Sequence, residues 1–125
     1  MSHIWLIEDC VEQAMLRLLE HHESLLLTAE EIQDQTDMPF RKDIIDLARD
    51  QCGELDQDAR IKLTSTHSIA TVMECVEQVK LRVGFQLPVD YDAKECFVQK
   101  TLNIPFRKAV IKTALFDLYS KSTTQ

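Results

Sequence analysis

The apolar residues of this chain recur at helical spacing along most of its length. Between residues 4 and 22 they fall at Ile4, Ile7, Val11, Ala14, Met15 and Leu18, on one helix face. Trp5, Leu6, Cys10, Leu16 and Leu19 widen the stripe, which suits burial against more than one neighbour. Ser2 is placed to cap this helix. Thr28-Ala29-Glu30-Glu31 then forms a capping box, a hydroxyl followed three residues on by a carboxylate, and starts a short helix ending near Gln35 or Thr36. Pro39 marks the first turn of a third helix, where a ring without an N–H is tolerated. Its inward side is Phe40, Ile44, Leu47, Ala48 and Cys52, and Gly53 stops it. Residues 54–66 read as a polar linker, within which residues 60–64 alternate like a short strand.

A second series follows. Ile69, Val72, Met73, Val76, Val79 and Val83 form a helical stripe that Gly84 ends. Asp92-Ala93-Lys94-Glu95 offers another capping box, for a helix reaching about Leu102. The last helix is expected from Pro105 to Tyr119, with Phe106, Val110, Ala114 and Leu118 inward. Residues 120–125 read as a polar tail.

The two series are versions of one text. Asp37-Met38-Pro39-Phe40-Arg41-Lys42 returns as Asn103-Ile104-Pro105-Phe106-Arg107-Lys108, 66 positions on. Asp9-Cys10-Val11-Glu12-Gln13 returns as Glu74-Cys75-Val76-Glu77-Gln78, 65 positions on. The expected architecture is therefore all-α: two three-helix units in tandem, residues 1–64 and 65–125, packed as a pseudo-twofold bundle. A unit of about 60 residues is marginal alone, which favours one shared core. Two glycines and three prolines in 125 residues argue against an all-β fold and against disorder.

Charge separates the halves. Residues 1–64 hold six Lys/Arg and fifteen Asp/Glu, a balance of −9, while residues 65–125 hold eight and six, a balance of +2; together they make the −7 of the whole chain. Such asymmetry suggests different partners for the two halves. Cys10, Cys52, Cys75 and Cys96 form no CxxC pair, and Cys10 and Cys75 sit alike on or beside apolar helix faces. They read as reduced thiols, pointing to a cytoplasmic location. The first nine residues lack a basic start and carry acids, unlike a signal peptide, and no apolar run approaches the length of a membrane span.

A short capped helix, a tight turn and a further helix is the layout of a helix-turn-helix. Leu27-Thr28-Ala29-Glu30-Glu31-Ile32 followed by Thr36-Asp37-Met38-Pro39 resembles the opening of many such motifs. Gln33 stands where many of them carry a small residue, and Asp37 or Asn103 where the turn glycine would be. The resemblance implies that the third helix of each unit faces a groove. In the first unit that helix exposes Arg41, Lys42, Asp43, Asp46, Arg49 and Asp50, and its acids would repel phosphate. In the second, Asp43 becomes Ala109, Asp46 becomes Lys112 and Asp50 becomes Phe116, on one helix side. Lys100, Asn103, Arg107, Lys108 and Lys112 are thus the candidate nucleic-acid contacts, Arg107 for a base edge. Lys121 would extend the patch. The other expectation is a protein partner or a homodimer. Glu30, Glu31, Asp34, Asp43, Asp46 and Asp50 would meet a basic face of another subunit, and Phe116 suits a protein contact better than a groove.

Catalytic chemistry finds little footing. His3, His21, His22 and His67 form no motif with a second ligand type. Asp9/Glu12 and Glu74/Glu77 recur as paired acids, but the Glu-x-x-His of a carboxylate-bridged metal site is missing, and Arg17 and Arg82 recur as their expected partners. No phosphate loop or nucleophile motif is present. The expectation is a small non-enzymatic regulatory binding protein, with no metal, no cofactor and no membrane contact.

Overall fold

A computed structural model describes residues 4–20, 26–86 and 94–123, with only the backbone of residues 85–86 and 119–123. Among these residues there are seven helices and no strand. They are α1 (Ile7–Glu20), α2 (Ala29–Gln35), α3 (Lys42–Glu54), α4 (Gln57–Thr66), α5 (Val72–Gln86), α6 (Glu95–Thr101) and α7 (Lys108–Thr123). The fold class is all-α, as the spacing of apolar residues requires. The chain divides into two compact units, Trp5–Ala70 and one built on Thr71–Gln125.

In the first unit α3 packs on both α1 and α2. Cys10, Ala14 and Leu18 of α1, Ile32 of α2, and Ile44, Ile45, Ala48 and Cys52 of α3 are buried. Leu47, expected inward, is 46% exposed, and Ile45 is buried in its stead. In the second unit α7 packs on α5 and α6. Cys75, Val76, Val79 and Val83 of α5, Val98 of α6, and Val110, Ile111, Ala114 and Leu115 of α7 are buried. Ile69, Val72 and Met73, expected in this core, lie at the surface instead; Met73 is 76% exposed. Ile69 precedes α5, and Val72 and Met73 are its first two residues.

Several helix ends differ from expectation, each for a local reason. The first helix starts at Ile7 rather than residue 4: the Leu6 carbonyl accepts from the Cys10 N–H at 3.2 Å, and the Asp9 carboxylate in the first turn accepts the Leu6 N–H at 2.9 Å. Ser2 lies outside the described residues. Pro39 and Pro105 are buried in extended segments ahead of α3 and α7, not within their first turns. Gly53 and Gly84 lie inside α3 and α5, neither with positive φ, so they end no helix. The α3 end is made by Leu55, whose N–H returns to the Cys52 carbonyl. Helix α6 begins after Lys94, later than the Asp92 box implied, and Asp92 is outside the described residues. Residues 120–123, read as tail, continue α7.

Residues 60–64 are helical, not a strand. Asp56 accepts the Ala59 N–H at 2.8 Å and caps α4 at its start. Arg60 donates to the Cys52 carbonyl at 3.1 Å, adding a second bond to the one that Leu55 makes at this α3 end. A lone alternating segment with no mate cannot satisfy its backbone as a strand, and a helix can.

Candidate interaction surface

Four residues shape α2 and its turn into α3: Thr28, Glu31, Asp37 and Gln33. Thr28 and Glu31 form the full capping box at the start of α2: the Glu31 N–H donates to Thr28 Oγ1 at 3.2 Å, and the Thr28 N–H donates to Glu31 Oε1 at 2.9 Å. The Thr28 N–H, with a smaller contribution from the Thr28 side chain, holds the Glu31 carboxyl below its usual range. After α2, Asp37 adopts φ 53°, a left-handed conformation that Asp and Asn tolerate better than other side chains. Gln33 then donates from Nε2 to the Phe40 carbonyl at 2.8 Å, tying α2 to the segment that enters α3. Between α6 and α7 the same devices recur: Asn103 has φ 51°, and Gln99 Nε2 donates to the Phe106 carbonyl at 2.7 Å. Phe40 and Phe106 are both fully buried. The glutamine that replaces a small residue thus has a structural task in each unit.

With α2–α3 and α6–α7 joined alike, their outer faces can be read position by position. On α2–α3, Glu30, Glu31, Asp34, Asp43, Asp46 and Asp50 are all exposed. Lys42 Nζ lies 3.7 Å from Glu30, and the Arg41 guanidinium grips the Asp43 carboxylate at 2.7 and 2.8 Å. Arg41 therefore has a carboxylate partner at the start of its own helix. Arg49, expected on this exposed face, is half-buried and donates to the Leu27 carbonyl.

On α6–α7 the face has another character. Lys100, Asn103, Lys108 and Lys112 are exposed, and Arg107 is half-buried at the entrance to α7. Lys108, Lys112 and Phe116 follow one another at four-residue intervals and stack along one side of α7. Phe116 is 69% exposed. The sequence reading missed Phe97, which is 61% exposed on α6 and stands where α2 has Glu31. Aligning Gln33 with Gln99 would have revealed it, together with Asp34 against Lys100 and Glu30 against Cys96. Lys121 has no described side chain.

The expected pairing of Arg17 with the helix acids is not found. Arg17 donates to the Ala70 carbonyl at 2.7 Å, Asp9 accepts the Leu6 N–H, and Glu12 accepts from His67 at 3.1 Å. His67 lies at the end of α4. Gln13 adds two bonds to the same segment, donating to the Ser68 carbonyl at 3.1 Å and accepting the Ala70 N–H at 2.8 Å.

A groove between α1, α3 and α4 in the first unit has a volume of about 610 Å³. Ile7, Val11, Met15, Leu47, Leu55 and Leu63 give it an apolar lining. The second unit has an ion-paired cluster at the places of Met15, Glu12 and Gln51. Lys80 lies 3.0 Å from Asp117 and 3.3 Å from Glu77. The hydrogen bond that Lys80 donates to Asp117 is the main cause of an upward shift in the Lys80 pKa, with Glu77 adding to it against the opposing effect of desolvation.

Among the described residues no three His, Cys, Asp or Glu side chains gather as metal ligands would, and no helix is long and apolar enough to cross a membrane. No protein-family model, curated protein or solved structure matches the chain.

Proposed function

We propose that this chain is a non-enzymatic binding protein whose α6–α7 face engages another protein. The observation that supports this best is Phe116. It stands 69% exposed in line with Lys108 and Lys112, at the place where α3 carries Asp50. An aromatic ring beside flanking cations suits a protein interface, where it can be desolvated at the centre while the charges stay near the rim. Phe97 on α6 adds further exposed apolar area.

DNA binding through α7 is the second reading. Lys100, Asn103, Lys108 and Lys112 are exposed, and none of the exposed positions of α7 from 108 to 116 is a carboxylate. Three or four phosphate contacts would give salt-sensitive binding. The half-buried Arg107 is a weaker base-reading candidate than its sequence position implied, and phenylalanine offers a base edge no hydrogen bond, only apolar contact with a thymine methyl.

A photoreactive residue placed at 116, with a second at Asp58 on α4 as control, tests the choice in the native host cell. A discrete protein adduct at 116, absent at 58 and lost in Lys112→Glu, is expected. Nucleic-acid adducts at 116 would establish the second reading instead, and equal labelling at both positions would refute both.

A further inference from the structure

We infer that the partner of the α6–α7 face is the α2–α3 face of a second copy of this chain. This rests on the reading that the α6–α7 face binds protein, and it adds the identity of the partner.

The ground is charge complementarity at matched positions. Six acids lie on the outer side of α2–α3, and none persists at the equivalent place on α6–α7. Asp34 is answered by Lys100, Asp46 by Lys112 and Asp50 by Phe116. Glu30, Glu31 and Asp43 are answered by Cys96, Phe97 and Ala109. Random drift of a solvated surface would retain some acids and place cations without regard to the other half. Here two positions reverse sign, and the rest turn neutral or aromatic.

Local pairing leaves the complementary charges available. Glu30 is beside Lys42, Asp43 is held by Arg41, and Glu31 is committed to the start of α2. Asp34, Asp46 and Asp50 remain as the outward carboxylates of that face, each exposed. Lys100, Lys108 and Lys112 are the exposed cations of the other. Bringing the faces together would pair these charges and cover Phe116 with the stems and backbone of α3. The contact is head-to-tail: one copy contributes its first unit and the next its second. Opposite charges would guide the encounter, and like faces would repel, which sets the orientation.

Analytical ultracentrifugation of the full chain decides the matter. At about 50 mM salt the average mass should rise above the monomer between about 1 μM and about 500 μM protein, and about 500 mM salt should weaken association at least roughly tenfold. Asp46→Lys and Lys112→Asp should each remain monomeric with unchanged circular dichroism. An equimolar mixture of the two should associate again, and so should the chain carrying both changes. A monomeric wild-type chain at low salt, single variants that associate as wild type does, or a mixture that fails to recover would each overturn the proposal. If the wild-type chain is monomeric while position 116 still labels a different protein, the self-partner is refuted and the protein-binding reading stands. Labelling of nucleic acid alone removes both.

Discussion

At the scale of single residues, Glu31 shows how a fully exposed group can matter to a fold. Its carboxylate accepts the Thr28 N–H, and that bond, with a smaller contribution from the Thr28 side chain, lowers its pKa from the usual carboxylate range. A carboxyl whose pKa is lower in the folded state stabilises the fold in full above the unfolded pKa, and that contribution disappears as pH falls through the folded value. The stability difference between the wild-type chain and Glu31→Ala should therefore be steady near neutrality and shrink on acidification below about pH 4. Denaturant titrations at a series of pH values measure it; a difference that stays constant to about pH 2 would mean the carboxylate charge is immaterial. Glu31 was legible in sequence because the capping box depends on near neighbours alone. The same holds for Asp37 and Asn103, whose left-handed backbones follow from residue type and place. The role of Gln33 was not legible, because its partner, the Phe40 carbonyl, is fixed only once the turn has closed.

At the scale of elements, α4 is held differently from the other helices of its unit. It contributes no fully buried residue. Its ties are the Asp56 cap, the Arg60 bond to the Cys52 carbonyl and the Glu12–His67 pair just beyond its end. A helix with little buried area opens at lower free energy than its neighbours. Amide exchange in residues 57–66 should accordingly be faster than in α1 and α3. Asp56→Ala should cost α4 about 1 kcal/mol of local stability while leaving exchange in α1 nearly unchanged. Equal slowing or quickening throughout the unit would show that α4 opens only with the rest. This helix was hidden in the sequence because five alternating residues fit either period, and the deciding cap lies four residues upstream at Asp56. Boundaries at Pro39, Pro105, Gly53 and Gly84 were misread for a related reason. Each residue permits a helix end, but neighbouring hydrogen bonds decide whether one forms.

At the scale of the whole molecule, the thiols report burial at widely spaced points. Cys10, Cys52 and Cys75 are buried and Cys96 is exposed, all as free thiols. Burial pushes the Cys52 thiol up to about 11, despite the opposing influence of Arg60, so little of it is thiolate near neutrality. A native thiol titration at pH 8 should find one fast group, lost in Cys96→Ser, and four groups after unfolding. Two or more fast groups in the native chain would contradict the burial of the other three. The separation of acidic and basic halves was likewise plain from composition, since formal charge needs no coordinates. The surface exposure of Met73 was not, because an apolar residue near a helical stripe reads as core until the packing partner is placed.

The glycines inside α3 and α5 have a consequence for heat tolerance. A methyl group built on Gly53 or Gly84 meets no atom within 4 Å, and neither residue has positive φ. Alanine at either site would restrict the denatured chain while fitting the native helix, a gain of about 0.4–1 kcal/mol each and a melting point several degrees higher for the pair. The protein sits below the thermal ceiling its own backbone allows, and two added methyl groups would raise it towards that ceiling.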